Sequence, residues 1–103
     1  MDVFRAMQQG GLTVMGEKVL PTVSAASTQI FGDAPEGCCG VLVDFTGGDL
    51  TYRCDGGVVT ATTGIILRAA DAPHILPYAR NTLTLIRAIG GSVTSGYVQY
   101  LSV

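Results

Sequence analysis

The residues of this chain whose types suit metal or covalent chemistry are three cysteines, Cys38, Cys39 and Cys54, one histidine, His74, and a scatter of aspartates. A zinc site needs about four ligands, usually as two closely spaced pairs. Three thiols and one distant histidine do not supply that pattern. In an alternating strand Cys38 and Cys39 also point to opposite faces. The cysteines therefore read as small buried apolar residues. A Cys39–Cys54 bridge across a hairpin is geometrically conceivable but disfavoured in a reducing compartment. Nucleophilic catalysis needs a thiolate beside an oriented base, and His74 sits between Pro73 and Ile75 with nothing marking it as activated. Asp44, Asp49 and Asp55 cluster near two turns, but their spacing fits no EF-hand calcium loop. The glycine pairs 47–48, 56–57 and 90–91 precede no helix N-terminus that would cradle a phosphate, and they read as turns. No catalytic residue, metal ligand or cofactor site is assigned, and the chain is expected to be no enzyme.

The elements that must carry these residues are strands. With 103 residues the chain amounts to one domain. Alternation puts Cys39, Val41, Val43 and Phe45 on one face, and Leu50, Tyr52 and Cys54 resume it after Thr46–Asp49, a hairpin pattern. Asp55-Gly56-Gly57 is a second turn, Val58–Gly64 a threonine-rich connection, and Ile65–Leu67 another strand. Lys18–Ile30 reads as two short strands split by Pro21, and 31–37 (FGDAPEG) as a loop. Ala70–Tyr78 is short strand or loop. Asn81–Ile89 reads as a strand whose alternation breaks, through a bulge or burial on both faces, and Val93–Leu101 is the last strand. About eight short strands without sustained helical periodicity predict an all-β fold, a small antiparallel β-sandwich or jelly roll. Residues 1–18 are expected as an N-terminal arm and 19–103 as the β-sandwich domain. The arm is either a frayed terminus or a segment docking on a neighbouring subunit through Phe4, Met7, Leu12 and Met15.

Composition narrows the function classes. A hydrophobic share of 48% with only 14% charged residues leaves a surface poor in charge, which favours an assembling subunit. A net charge of −2 gives no electrostatic footprint for nucleic acid, and no polybasic membrane patch is present. The first ten residues lack the pattern of a signal peptide, and no apolar run reaches membrane-spanning length. Reduced thiols and synthesis in a cytosol are expected.

The stretch Leu50-Thr51-Tyr52-Arg53-Cys54-Asp55-Gly56, followed by Thr60-Ala61-Thr62-Thr63-Gly64 and Leu67, resembles small virion proteins of tailed bacteriophages. Those proteins carry a strand, a turn of the form [I/L]-x-[Y/W]-R-x-D-G, then P-T-A-T-x-G, then a strand entering L-x-A-G-D. Leu85–Val93 is similar to their F-I-x-A-x-G-S-A-x-L, and Tyr97-Val98-Gln99-Tyr100 to their V-x-Y end. The likeness runs from about Ser27 to Tyr100. Val59 stands where the motif has proline, and Ala69-Ala70-Asp71 lacks its glycine.

That resemblance implies a capsid decoration (cement) protein of the virion, binding the major capsid protein or other virion proteins and self-associating as a trimer. The same resemblance leaves a neck, tail-connector or fibre-associated subunit as the alternative. Arg53, Thr60 and Thr62 join Phe4, Met7, Leu12 and Met15 as candidate interface residues. Arg53 and Asp55 share an outward face and could pair. A carbohydrate-binding module is a third reading, for which Tyr78, Tyr97 and Tyr100 are the aromatic candidates in a chain without tryptophan.

Overall fold

The computed structural model describes residues 13–24, 26–60 and 62–103. Phe4, Met7 and Leu12 therefore lie outside the described residues. Among the described residues eight strands form two four-stranded antiparallel sheets, as the all-β sandwich expectation required. The strands are β1 (Thr13–Val19), β2 (Thr28–Gln29), β3 (Gly40–Thr46), β4 (Leu50–Arg53), β5 (Ile65–Leu67), β6 (His74–Leu76), β7 (Arg87–Ile89) and β8 (Ser95–Ser102). The first sheet has the order β1-β8-β3-β6 and the second β2-β7-β4-β5. A 3-10 turn at Ala69–Asp71 and one helical turn, α1 (Arg80–Leu83), complete the described elements.

The inward faces meet in one core. Val41, Val43 and Phe45 of β3, Leu50 and Tyr52 of β4, and Val98 and Tyr100 of β8 are all buried in it. Phe31, from the 31–37 loop, is fully covered and meets the Tyr100 ring edge-on, with centroids 6.4 Å apart. Such burial contributes roughly 1.5–3 kcal/mol for each large apolar side chain.

Three expectations about the strands after residue 38 are corrected. First, β3 and β4 are not a hairpin: the turn between them carries the chain from one sheet to the other. Both edges of β3 are already taken, by β8 and β6. Alternation across Phe45 and Leu50 reports which side chains face the core, and a crossing turn satisfies it as well as a hairpin does. Gly47 makes the crossing possible. Its φ of +98° suits glycine, and a Cβ there would stand 2.6 Å from the Ser92 carbonyl oxygen. The hairpin in this region is instead β4–β5, with Leu50 opposite Leu67 and Tyr52 opposite Ile65.

Second, Asn81–Ile89 is not one strand. Residues 80–83 make a helical turn and only 87–89 are strand. The broken alternation has this cause. Leu83 and Ile86, three apart as on a helical turn, are both fully buried, while Leu85 is 48% exposed. Third, β3 begins at Gly40, so the cysteine pair precedes the alternation: Cys38 is buried and Cys39 only half-buried.

The first strand also reaches further back than expected. Thr13–Lys18, assigned to the arm, belong to β1, which pairs with β8 from Thr13↔Ser102 to Val19↔Tyr97. Lys18 and Val19 therefore sit in one strand, across the expected arm–domain boundary at 18/19.

Leu83→Ala is expected to lose about 2–5 kcal/mol in urea denaturation, as for other large-to-small core changes. Leu85→Ala should stay within about 0.5 kcal/mol of the parent. Equal losses at the two positions would contradict the helical turn. Gly47→Ala should also destabilise, by about 1–3 kcal/mol, from backbone strain at a positive φ.

Candidate functional site

Cys38, His74 and Asp49, singled out for chemistry, have structural occupations, while Asp44 is exposed. Cys38 donates its Sγ–H to the Gly40 carbonyl at 3.1 Å, and all three cysteines are unbridged. His74 lies on the Phe45 ring, with centroids 5.7 Å apart and planes 17° from parallel. Its Nε2 donates to the Arg68 carbonyl at 2.8 Å, so this imidazole braces β6 against the preceding turn. Asp49 accepts from the Ala69 N–H at 3.0 Å and thereby fastens the start of β4 to the 3-10 turn. Among the described residues no three His, Cys, Asp or Glu side chains stand together as a metal site.

Arg53 and Asp55 do pair, through Nη2–Oδ2 at 2.5 Å and Nε–Oδ1 at 3.1 Å. The same guanidinium donates to the Val58 carbonyl at 3.2 Å, and Asp55 accepts from Gly57 N–H at 2.9 Å. Together they close the loop over Gly56, whose φ is +79°. The hydrogen bond and charge of Arg53 hold the Asp55 carboxyl below its ordinary range. Arg53 is thus committed to its own loop.

Thr60 and Thr62 are exposed. Thr60 and Thr63 form an isolated bridge, and their hydroxyls lie 2.7 Å apart. The result is a tight uncharged turn leading into β5. Met15 is half-buried and packs against the core.

Of the three tyrosines considered for a glycan platform, Tyr100 is buried and Tyr78 half-buried, its hydroxyl 3.0 Å from that of Tyr52. Burial pushes the Tyr52 phenol well above its ordinary value, with Tyr78 adding to the effect. Tyr97 alone presents a ring, at 41% exposure, and its hydroxyl donates to Glu17.

Two constellations escaped the sequence because their members are far apart in it. In one, Asp33 accepts from Lys18 Nζ at 2.5 Å and from the Tyr100 hydroxyl at 2.6 Å, and Lys18 also donates to the Ile30 carbonyl at 2.8 Å. This cluster clips the 31–37 loop onto β1 and β8. Partial burial alone would raise the Asp33 carboxyl, but the hydrogen bonds from Lys18 and Tyr100 and the Lys18 charge outweigh it and hold the group below its ordinary value. Burial and the Asp33 carboxylate push the Tyr100 phenol far up. In the other, Arg87 of β7 reaches Ser27, which precedes β2, and Gln29 of β2 reaches Thr84. No local motif announces either one.

Exposed apolar side chains gather where β5 forms an edge of the second sheet. Ile65 is 51% exposed, Ile66 54% and Val58 62%. From Val58 to Leu67 the chain carries no charged residue. The other three sheet edges are blunted. β1 has a bulge between Val14 and Gly16 and bears Glu17 and Lys18, β2 is two residues long, and β6 is flanked by Pro73 and Pro77.

Comparison of the chain with protein-family profiles, with curated proteins and with solved structures gives no match.

Asp33→Asn should lower stability by about 1 kcal/mol at neutral pH, a modest figure because the carboxylate is largely exposed. A carboxyl whose folded value is depressed stabilises above its unfolded value of about 4 and loses that contribution as pH falls through the folded one. Urea titrations of the two proteins should therefore diverge at neutral pH and converge below the ordinary value of 3.8. A constant gap down to acid pH would contradict the assigned pairing.

Proposed function

We propose that this chain is a structural subunit of a tailed-bacteriophage virion, a decoration protein that stabilises the head shell by binding it and by associating with its own copies. Shape and buried area carry this function, with no chemical step. The observation that supports the reading most is the uncharged β5 edge with its exposed Ile65, Ile66 and Val58. An open strand edge offers unpaired N–H and C=O groups to an incoming chain, and exposed isoleucines add apolar area to the same contact. Soluble monomers ordinarily protect such an edge with charge, proline or a bulge. The low overall charge and the virion-protein pattern across Leu50–Leu67 point the same way.

In this reading the Asp55–Arg53 loop and the Thr60–Thr63 turn are the frame that holds β5 at the margin of the sheet. Arg53 serves that frame from within, and Thr60 and Thr62 flank the contact. A trimer is the stoichiometry the resemblance implies, with each subunit presenting one β5 edge to a neighbour or to the shell.

The test combines light scattering after size exclusion with sedimentation against phage capsid shells that lack the protein. The parent chain is expected to run as a trimer and to sediment with the shells. Ile66→Lys, which adds charge to an exposed edge position, should leave the urea midpoint nearly unchanged. It should also reduce shell binding at least about tenfold, equivalent to about 1.4 kcal/mol. A monomer that ignores the shells would overturn the proposal, and co-purification with tails would move the protein to the neck or tail.

A further inference from the structure

The outer face of the second sheet carries a row in register across three strands: Gln29 of β2, Arg87 of β7 and Arg53 of β4. Two arginines directly opposite each other on one face repel, an arrangement that sheets ordinarily avoid. Arg53 is neutralised by Asp55. Arg87 has no such partner among the described residues. Its Nε donates to the Ser27 hydroxyl at 3.1 Å and its Nη2 to the Ser27 carbonyl at 3.2 Å, both neutral acceptors. Its Nη1 has no acceptor among the described residues. The two bonds to Ser27 fix the guanidinium plane, so little side-chain freedom remains to be lost when an anion arrives.

Arg87 lines an open cleft of about 320 Å³, together with Gln29, Gly56, Thr84 and Leu85. Gln29 is fixed there by donating from Nε2 to the Thr84 carbonyl at 2.5 Å. Leu85, with about half its surface exposed, supplies an apolar wall. A half-buried, oriented cation beside an apolar wall matches a carboxylate borne on a short apolar stem. Arginine binds a carboxylate through its planar fork, and the bond is stronger for being charge-assisted.

We propose that the Arg87 cleft is a carboxylate-binding site, occupied in the assembled particle by an acidic side chain of the protein surface on which this chain docks. This rests on the decoration reading for its partner, but the site itself can be tested without any shell. The uncharged β5 edge would then provide contact area, and the cleft would set orientation, since a single buried-side cation meets only a matching acid.

Propionate is the probe, with acetate and inorganic phosphate beside it, followed through the Arg87 Nε–H resonance of the intact chain. Propionate is expected to shift that resonance saturably, and to bind more tightly than acetate because its methyl group meets Leu85. Arg68→Gln, at an exposed arginine away from the cleft, should leave the titration unchanged. Arg87→Gln, which lacks that resonance and is followed through the backbone amide resonances of Thr84 and Leu85 in the cleft wall, should weaken binding at least about tenfold. Leu85→Glu should do the same with Arg87 intact, by placing a carboxylate of the chain's own in the cleft; because Leu85 is exposed, that variant tests the site even if Arg87→Gln unfolds. A shift that never saturates, or that persists in Leu85→Glu, would overturn the site. Phosphate binding more tightly than propionate would overturn the assignment to a carboxylate. Either failure leaves the decoration reading, which shell sedimentation tests, standing by itself.

Discussion

The first sheet closes only when β8 slides between β1 and β3. Residues 95–102 pair with 13–19 on one side and 40–46 on the other, so the last described strand lies inside the sheet and holds the first one at its edge. Everything else depends on that closure. Val98 and Tyr100 bring the inner face of β8 to the core, and the Tyr100 hydroxyl reaches Asp33 to clip down the 31–37 loop. The connectivity compounds the constraint. Of the seven links between successive strands among the described residues, only β4–β5 stays within its own sheet; the other six cross between layers. A fold assembled from such distant pairings is slow to form, on the ms–s scale typical of all-β domains. Local turns can pre-form only one hairpin, and the sheets must find each other through the core.

That architecture explains why the turn residues are so demanding. A crossing turn has to leave one layer and enter the other within a few residues, while a loop from the far end of the chain packs beside it. Gly47 sits where the Ser92 carbonyl occupies the space a side chain would need, and Thr94 N–H donates to the Thr46 carbonyl at 2.9 Å next to it. Asp49 and His74 make comparable braces at the ends of β4 and β6. Of the residues that first invite a chemical reading, Asp49 and His74 brace crossings and Asp55 closes the loop between β4 and β5. A surface with little charge and a scaffold this committed to internal bracing leave the margins of the sheets as the places where another protein can be met.

Much of this was legible in the residues, and the gaps have physical causes. Alternation identified Val41, Val43, Phe45, Leu50 and Tyr52 as inward residues because the period of a strand is a local property. The same alternation could not say that β3 and β4 part company, since partner choice depends on β8, about fifty residues away. A single helical turn hid in Asn81–Ile89 because Leu83 and Ile86 are too few to establish a helical period, and their spacing looked like a faulty strand. The Arg53–Asp55 pair was visible, being two residues apart. The Lys18–Asp33–Tyr100 clip and the Arg87–Ser27 bond were not, for they join residues up to 67 positions apart.

In the function proposed above, the protein works by contact, presenting the β5 margin and the face beside it to other virion subunits. A reconstruction of a virion of the kind proposed to carry the chain is the direct test. Density for the β-sandwich is expected on the outside of the head, with β5 and the Arg87 cleft turned towards neighbouring protein and an acidic side chain within hydrogen-bond reach of Arg87. Density in which the β5 margin faces solvent on every copy, or a virion that lacks the protein altogether, would contradict it.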